Sequence, residues 1–434
     1  MTPTIATGTE QQCFEQLLLG KTVKSEGWME PIRTSALEHA QALALPTAKH
    51  DDWRFTDLSA LYQHEFHPVI NFAKLALKDI EAFLISGVIR LVFVDGSYDT
   101  TLSDLTQVEQ GVTVSSLLES FGDPLFEDNF GKHAPYKQDT FVALNTNFFE
   151  DGAWVRIAGE LTRPIHILHI ATKRDMPSAI YPRCMVVLEP NSRATLIEEY
   201  ADLGEGIYFS NSVTEVIIKE HASLQHVRVQ REGKRAFHIG HCSVVVNKDS
   251  VYDASSIALG ARISRHSLHV TQQEEGAEVH LNGLALITGR QIADTHTVIN
   301  HAMPKGKSYQ LHKCIADGAA HAVFSGKILV HKGASETDSS QSSRNLLLSD
   351  KAHIDTQPQL EIFNDDVKCK HGATVGQIDV DALFFLKSRG LTEARAKSLL
   401  THAFAAEVIA KIPVPALAAS LDSEILERMG GVQA

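Results

Sequence analysis

The sequence predicts a mainly β protein whose core is a parallel β-helix, with helical segments before and after the core. From about Ile165 to Ile378, short runs of β-branched residues alternate with polar residues, as in successive strands. A small residue recurs throughout this region behind a polar residue or a glycine. Both ends of the chain instead place apolar residues at helical spacing.

The beginning of the chain is expected to be helical. Leu91–Val94 is then a short apolar run that the turn residues Asp95–Gly96 follow, and this indicates a strand. We therefore expect an N-terminal helical domain over residues 1–85 and a core domain that contains the β-helix over residues 86–378. Three stretches before residue 86 have helical periodicity: Glu10–Leu19, Ile32–Leu43 and Asn71–Ile85.

A weak repeat supports the parallel β-helix. A small residue fits where the chain turns a corner close to the coil beneath it. The first four small residues are 27 or 28 positions apart, roughly twice the ~14 residues of half a solenoid coil. An antiparallel sandwich with similar turn signals stays open at this point. The repeated pairs are Arg193–Ala194, His221–Ala222, Asp249–Ser250, Gly276–Ala277, Gly318–Ala319, Gly333–Ala334, Lys351–Ala352 and Gly372–Ala373.

The last part of the chain predicts a C-terminal helical domain over residues 379–434. Asp379 can cap a first helix that Gly390 ends, Thr392 can cap a second, and Pro415–Met429 supplies a third. A short helical appendage beyond a solenoid has few places to bury an apolar stripe, so we expect the stripe to contact another chain. The stripe of the second helix is Leu399, Leu400, Ala403, Phe404 and Val408.

Composition excludes several classes of function. The formal net charge of −13 disfavours binding to nucleic acid or to an anionic membrane, since both require a basic face. Met1–Glu15 lacks the basic start and apolar segment of a secretory signal, and no run of about 18 apolar residues exists to span a bilayer. Five scattered cysteines suggest reduced thiols, so we expect a cytoplasmic protein.

Several histidines lie close to cysteines. Residues two apart on a strand share a face, so two such pairs could present a thiolate and an imidazole together. For any one pair, a core histidine beside an inert buried thiol is the commoner explanation. The groups are His238 with His241–Cys242, His312 with Cys314, and Cys369 with His371.

The pair Cys369 and His371 is the strongest candidate for a metal site. Lys368 and Lys370 flank the cysteine and are expected to lower the pKa of its thiol, and Gly372 lets another backbone approach. A soft thiolate with an imidazole suits iron or an iron–sulfur species better than magnesium or calcium.

Paired acids matter because many parallel β-helices are carbohydrate-active enzymes. Glu274–Glu275 and Asp365–Asp366 are the candidates. Adjacent strand residues point to opposite faces, so neither pair can flank a glycosidic bond, and exposed turns are expected at both places. A β-helix carbohydrate-active enzyme remains the alternative function.

The segment Asn345–Asp379 resembles the C-terminal signature of the SufB/SufD family of iron–sulfur cluster assembly proteins. Its most specific part is Asp365–Gly376, which reads DDVKCKHGATVG. The resemblance extends from about Leu45 to about Ala410. Further matching segments are Leu45–Thr56, Val92–Tyr98 and Ala382–Gly390.

Within this family the chain resembles the SufD branch. SufB-like chains are longer and carry a cysteine just before the Leu-Leu of the first motif. Here that stretch is Ser343–Arg344–Asn345, so the cysteine credited with holding the nascent cluster in SufB has no counterpart.

The resemblance implies a right-handed parallel β-helix between helical ends and a non-catalytic scaffold function. Its partners would be a SufB-like subunit at the last coils and a SufC-like ABC-type ATPase at the C-terminal helices. It further implies that His371 and Cys369 lie at the SufB interface as candidate ligands for iron or a nascent cluster. No cofactor is expected in isolation, and reduced flavin is an implied cofactor of the complex. A stand-alone homodimer through the same coils is a further alternative.

Overall fold

A computed structural model of the chain describes residues 8–19, 27–43 and 45–430. Short 3₁₀ helices occur at Asp51–Trp53, Leu77–Phe83 and Leu118–Ser120. The α-helices of the described part are α1 (Gly8–Leu18), α2 (Met29–Leu43), α3 (Ser59–Tyr62), α4 (Pro124–Asn129), α5 (Thr140–Phe148), α6 (Val380–Ser388), α7 (Glu393–Ile409) and α8 (Pro415–Arg428).

Strands dominate the chain between the helical ends. The strands are β1 (His67–Pro68), β2 (Ile89–Val94), β3 (Ser97–Tyr98), β4 (Val112–Ser116), β5 (Gly152–Ile157), β6 (Ile165–Thr172), β7 (Ser178–Ile180), β8 (Arg183–Leu188), β9 (Arg193–Leu203), β10 (Tyr208–Ile218), β11 (Ser223–Gln230), β12 (Phe237–Val246), β13 (Val251–Ala258), β14 (Ile263–Gln272), β15 (Glu278–Ile287), β16 (Ile292–His301), β17 (Lys307–Ala316), β18 (His321–Val330), β19 (Thr337–Leu347), β20 (His353–Ile362) and β21 (Val367–Gln377).

These strands build a solenoid from two sheets. The first sheet has the order β20-β18-β16-β14-β12-β10-β8-β5-β4, and the second has the order β21-β19-β17-β15-β13-β11-β9-β6-β2-β3. From β6 onward every described strand pair is parallel. From β8 onward the chain alternates between the sheets, so that each coil adds one strand to each sheet. The mainly β, parallel β-helix expectation is therefore confirmed, and the antiparallel sandwich is excluded.

The corners explain the small-residue repeat. In a left-handed backbone conformation the chain bends sharply, and a small side chain can then enter the stack beneath it. Gly372–Ala373 was expected at a corner too, but it lies inside β21. The corners that follow the expected pattern have positive φ and then a buried small residue: His221–Ala222, Asp249–Ser250 and Gly276–Ala277.

The helix expected over Asn71–Ile85 is wrong. Only Leu77–Phe83 is helical, as a 3₁₀ helix, and the Ala76 N–H donates a 2.7 Å hydrogen bond to Asp79 Oδ2 at its start. Ile80 is fully buried against strand residues, so tertiary packing on the sheet overrides the local helical period. The helices expected near residues 10–19 and 32–43 are present as α1 and α2.

The N-terminal helices cover the outer face of the first sheet. Aromatic and aliphatic side chains from the helical region, including Trp53 and Phe141, form one buried cluster with Met185, Phe209 and Phe237 of the sheet. At the centre of this contact Arg183 forms a fully buried ion pair with Glu215. The helices therefore cover most of the outer face of β8, β10 and β12.

The C-terminal helices begin as the sequence predicts. Asp379 accepts hydrogen bonds from the Asp381 and Ala382 N–H groups, and Thr392 accepts one from the Arg395 N–H. Gly390 has a φ of 92° where the first helix ends. Among the described helices, none combines the length and the apolar character that crossing a membrane requires.

The buried face of α7 differs from the apolar stripe that the sequence predicts. Ala405, Val408 and Ile409 are buried against the outer face of the second sheet, and α8 adds Leu421 and Ile425 to this contact. Of the expected stripe, Val408 is buried and Phe404 is partly buried in this contact, whereas Leu399 and Ala403 are exposed. The reason is that the appendage folds back along the flank of the solenoid instead of extending beyond its end.

Candidate functional site

The last coil forms an open end of the solenoid. Among the described residues, β20 pairs with β18 alone, and β21 pairs with β19 alone. Each of these strands thus has a second edge whose N–H and C=O groups have no strand partner in the described part of the chain. Such an edge is a template for pairing with another strand.

Cys369 and His371 both lie on β21, in the motif that the sequence singles out. In the strand register Cys369 is the neighbour of Ser339, and His371 is the neighbour of Gln341. Residues two apart share a face, so both side chains belong to the inner face of the coil. His371 is exposed because no further coil covers it, while Cys369 is half-buried.

A layer of polar side chains lies beneath the last coil. Gln341 donates a 2.8 Å hydrogen bond to Gln310, which in turn donates one of 2.7 Å to Thr297. The remaining Gln341 oxygen is buried without a hydrogen-bond partner, next in register to His371. Gly326 leaves room for this glutamine, since a Cβ there would lie 2.1 Å from Gln341 Nε2.

Our sequence reasoning missed this polar layer. The signal was available in β19, where five successive inward positions are polar in a strand that ought to be apolar inside. These five residues are Thr337, Ser339, Gln341, Ser343 and Asn345, all buried.

The expected effect of the lysines on Cys369 is wrong. Burial raises the pKa of the Cys369 thiol, and the Asp338 carboxylate raises it further. Lys368 and Lys370 are exposed on the other face of the strand, where solvent screens them. The thiol packs beside the apolar residues Ile328 and Val330 instead. It is therefore a protonated, weakly nucleophilic group at neutral pH.

The other histidine–cysteine pairs lie inside the solenoid. Burial lowers the pKa of His312 to about 3 and raises that of Cys314 to about 12. Burial also lowers the pKa of His238 and His241 and raises that of Cys242. These buried thiols are therefore inert, as expected for a core histidine beside a buried cysteine. Among the described residues, His312 Nε2 has no hydrogen-bond partner.

The two acidic pairs lie in exposed turns. Glu274–Glu275 and Asp365–Asp366 are exposed and connect strands. The exposed-turn expectation is therefore confirmed at both positions.

An apolar surface adjoins the open end. Six of the sixteen large, exposed hydrophobic residues of the described chain lie within residues 362–385. α6 contributes three of them and has no buried residue of its own. We call this set the end patch; its members are Ile362, Phe363, Val375, Val380, Phe384 and Phe385.

A groove lies beside the end patch, where α6 connects to α7. It has a volume of about 750 Å³ and is lined by residues of the α6–α7 turn, α7 and α8. Arg389 and Arg395 make its rim basic, while Leu391, Leu399 and Leu426 make its walls apolar. An apolar centre surrounded by a polar rim is typical of protein-binding surfaces.

Comparison with protein-family models identifies two matching regions. Residues 14–167 match the SufBD protein N-terminal region. Residues 169–404 match the SufBD core domain of the SUF system for FeS cluster assembly. Together these matches cover most of the chain, including the solenoid, the open end and α6.

Curated relatives agree with these matches. An iron–sulfur cluster assembly SufBD family protein of Synechocystis is 36% identical over 400 residues, covering 89% of this chain and 88% of the relative. The iron–sulfur cluster assembly protein SufD of Escherichia coli is 31% identical over 404 residues, covering 91% and 93%. A chloroplastic protein of Arabidopsis thaliana named ABCI7 is 28% identical over 400 residues, covering 89% and 83%.

Proposed function

Because this chain belongs to the SufB/SufD family of iron–sulfur cluster assembly proteins, we propose that it is the non-catalytic SufD-type scaffold of a three-component complex. Its partners would be a SufB-like subunit at the open end and a SufC-like ATPase at the C-terminal helices. The observation that carries the proposal is the open last coil, which combines free strand edges, the Cys369–His371 motif and the end patch.

The SufB-like subunit would extend the two sheets beyond the last coil. β21 has eleven residues and no proline, so it offers an uninterrupted edge. β20 contains Pro358, which lacks an N–H and is tolerated in a sheet where that side faces away from the neighbouring strand. Pairing would therefore be more continuous along β21, which is also the strand that carries His371.

The cargo of the proposed interface is iron or a nascent cluster. His371 offers an exposed imidazole, and Cys369, two residues away on the same face, offers a thiol. Only a thiolate binds metal, and the raised pKa of Cys369 favours the protonated thiol. A nearby cation, or a rearrangement that exposes the thiol, would lower this pKa and favour the thiolate. His371 would therefore be the first ligand and Cys369 a conditional one.

The SufC-like ATPase would bind α6 and the groove beside it. Phe384 is 74% exposed and Phe385 is 55% exposed, so both are available to a partner. α7 is fixed to the solenoid, since Lys313 Nζ lies 2.5 Å from Glu407 and donates a 2.8 Å hydrogen bond to the Phe404 carbonyl. A pull on α6 would thus pass mainly into β21, which precedes it directly in the chain.

Co-purification tests the scaffold function. The chain would be co-expressed with the SufB-like and SufC-like proteins of its own source and purified without oxygen. We expect one complex that contains iron and sulfide. His371→Ala should leave the complex intact, because an exposed side chain contributes little to stability, within about 0.5 kcal/mol. It should lower the iron and sulfide content of the complex several-fold, because it removes a proposed ligand.

Lys370→Ala is the matched control, since Lys370 is exposed on the same strand but on its other face. It should leave both assembly and cluster content unchanged. Failure of the chain to associate with the SufB-like protein would refute the scaffold proposal. A lower melting temperature of the His371→Ala complex at unchanged iron content would show that the histidine serves only to pack the interface.

A further inference from the structure

Two histidines and one aspartate meet at the start of the last two strands of the first sheet. His321 opens β18 and His353 opens β20, and the two are direct neighbours in the parallel register. Asp355 follows His353 by two residues, so it lies on the same face of β20. Within the described part of the chain, no other group of three metal-ligating side chains is this close together.

The distances fit a shared metal ion. His321 Nε2 lies 2.7 Å and His353 Nε2 lies 3.2 Å from the same carboxylate oxygen, Asp355 Oδ2. The three donor atoms all lie within 4.8 Å of one another. Ligands bound to one ion at about 2.0–2.2 Å are themselves about 3 Å apart, so only small side-chain rotations are needed.

We propose that His321, His353 and Asp355 form a binding site for a first-row divalent transition-metal ion, Zn²⁺ or Fe²⁺. Two imidazoles and one carboxylate are the donor set of open zinc and non-haem iron sites, whereas magnesium and calcium prefer oxygen donors alone. Three protein ligands leave at least one coordination position for water or for a donor on another molecule.

The position of the site explains why it would be accessible. His353 is the most exposed of the three, with 66% of its side chain open to solvent, while His321 and Asp355 are about one quarter exposed. The strands β18 and β20 hold the ligands, so the register that builds the solenoid also sets their spacing. The bound ion would therefore tie the last coil of this sheet to the coil before it.

This site is separate from the Cys369–His371 motif. His321 and His353 lie on the first sheet, and the motif lies on β21 of the second. The inference consequently does not rest on the proposed scaffold function.

Cobalt titration tests the proposal with the full-length chain. The metal-free Cys369→Ser, His371→Ala double variant is the background, since it removes the other candidate ligands. We expect one equivalent of Co²⁺ to bind, with a visible absorption band and a raised melting temperature, because binding to the folded state stabilises it. Replacing His321, His353 or Asp355 by Asn in this background should weaken binding at least about tenfold.

His280→Asn is the matched control, because His280 Nε2 forms an ion pair with one carboxylate, Glu278, at 2.7 Å. The exposed fraction of the His280 side chain, 35%, lies between those of His321 and His353. It should bind Co²⁺ as the background does. Circular dichroism of each variant verifies that the fold is retained. The proposal is overturned if the background shows no saturable binding, or if the His353→Asn and His280→Asn variants bind Co²⁺ equally well.

Discussion

The surroundings of Cys369 keep its thiol protonated at neutral pH. It is half-buried beside apolar residues, and both burial and Asp338 raise its pKa. The other four cysteines, all within the described residues, are buried. A protonated thiol resists oxidation and premature metal binding, and removing the nearby carboxylate or adding a cation would increase the thiolate fraction.

Alkylation of the folded chain with iodoacetamide should therefore modify Cys369 alone, and slowly at pH 8. Because the pKa of the thiol is above 9.0, its usual value, the rate should still be rising as the pH passes that value. Asp338→Asn should raise the rate at pH 8 about two- to fivefold, since it removes the charge that disfavours the thiolate. Mass spectrometry of the labelled peptide measures both effects.

Asp365→Asn is the control for this prediction, because Asp365 is exposed and lies close in sequence without affecting the pKa of Cys369. It should leave the labelling rate unchanged. Equal rates for wild type and Asp338→Asn, or faster labelling than in a free cysteine, would contradict the stated environment of the thiol.

α6 differs from the other two C-terminal helices in having no buried face. α7 and α8 share a core with the second sheet, and Arg231 adds an ion pair of 3.1 Å to Glu424 of α8. α6 contacts mainly α7 and follows β21 directly. It is therefore the C-terminal helix that a partner can displace without exposing the core.

The double substitution Phe384→Ser, Phe385→Ser should abolish or strongly reduce binding of the SufC-like ATPase. The two rings are large and exposed, so their loss removes apolar contact area from the interface and changes the melting temperature by less than about 2 °C. Met176→Ser, which replaces another exposed side chain in the loop between β6 and β7, should bind the ATPase normally. Size-exclusion chromatography of the mixed proteins gives the readout. Undiminished co-elution of the double variant would show that the ATPase binds a different surface.

Truncation after Gly390 is a poor substitute for this double variant. It removes α7 and α8, which bury Val229, Ile257 and Leu286 on the outside of the second sheet. The loss of that cover would expose a large apolar flank and promote aggregation. Absence of ATPase binding in such a fragment would not distinguish a lost partner site from a lost fold.

The eight coils of the solenoid are held together mainly by contacts between neighbours. In such architectures each coil is stabilised by the coils on either side, so a coil at an open end has half of these contacts. The last coil is also poorly shielded, with most β21 side chains exposed. The first coils, by contrast, are covered by the N-terminal helices.

Hydrogen exchange should consequently be uneven along the chain. We expect amides of β20 and β21 to exchange at least about tenfold faster than those of β12 and β14 in the isolated protein, since end coils open locally. Addition of the SufB-like partner should slow exchange in β21 most. Mass spectrometry of peptides resolves the strands, and uniform protection along the solenoid in the isolated chain would contradict this prediction.

Local sequence was sufficient for several features that depend on neighbours along the chain. Strand alternation, the small residues after His221 and Asp249, and the caps Asp379 and Thr392 were all predictable, because each acts within a few residues of itself. The motif around Cys369 and His371 likewise indicates the family by itself, because its residues form one contiguous stretch of the chain.

The remaining features depend on residues that stack about one coil apart. The pKa of Cys369 is raised by burial and then by Asp338, which lies on the preceding strand of the same sheet, and Gln341 lies beneath His371. The site formed by His321 and Asp355 likewise joins successive coils of the first sheet. The packing of α7 against the flank also escaped local reasoning. Burial and charge act through space, so only the folded coil decides which distant side chains become neighbours.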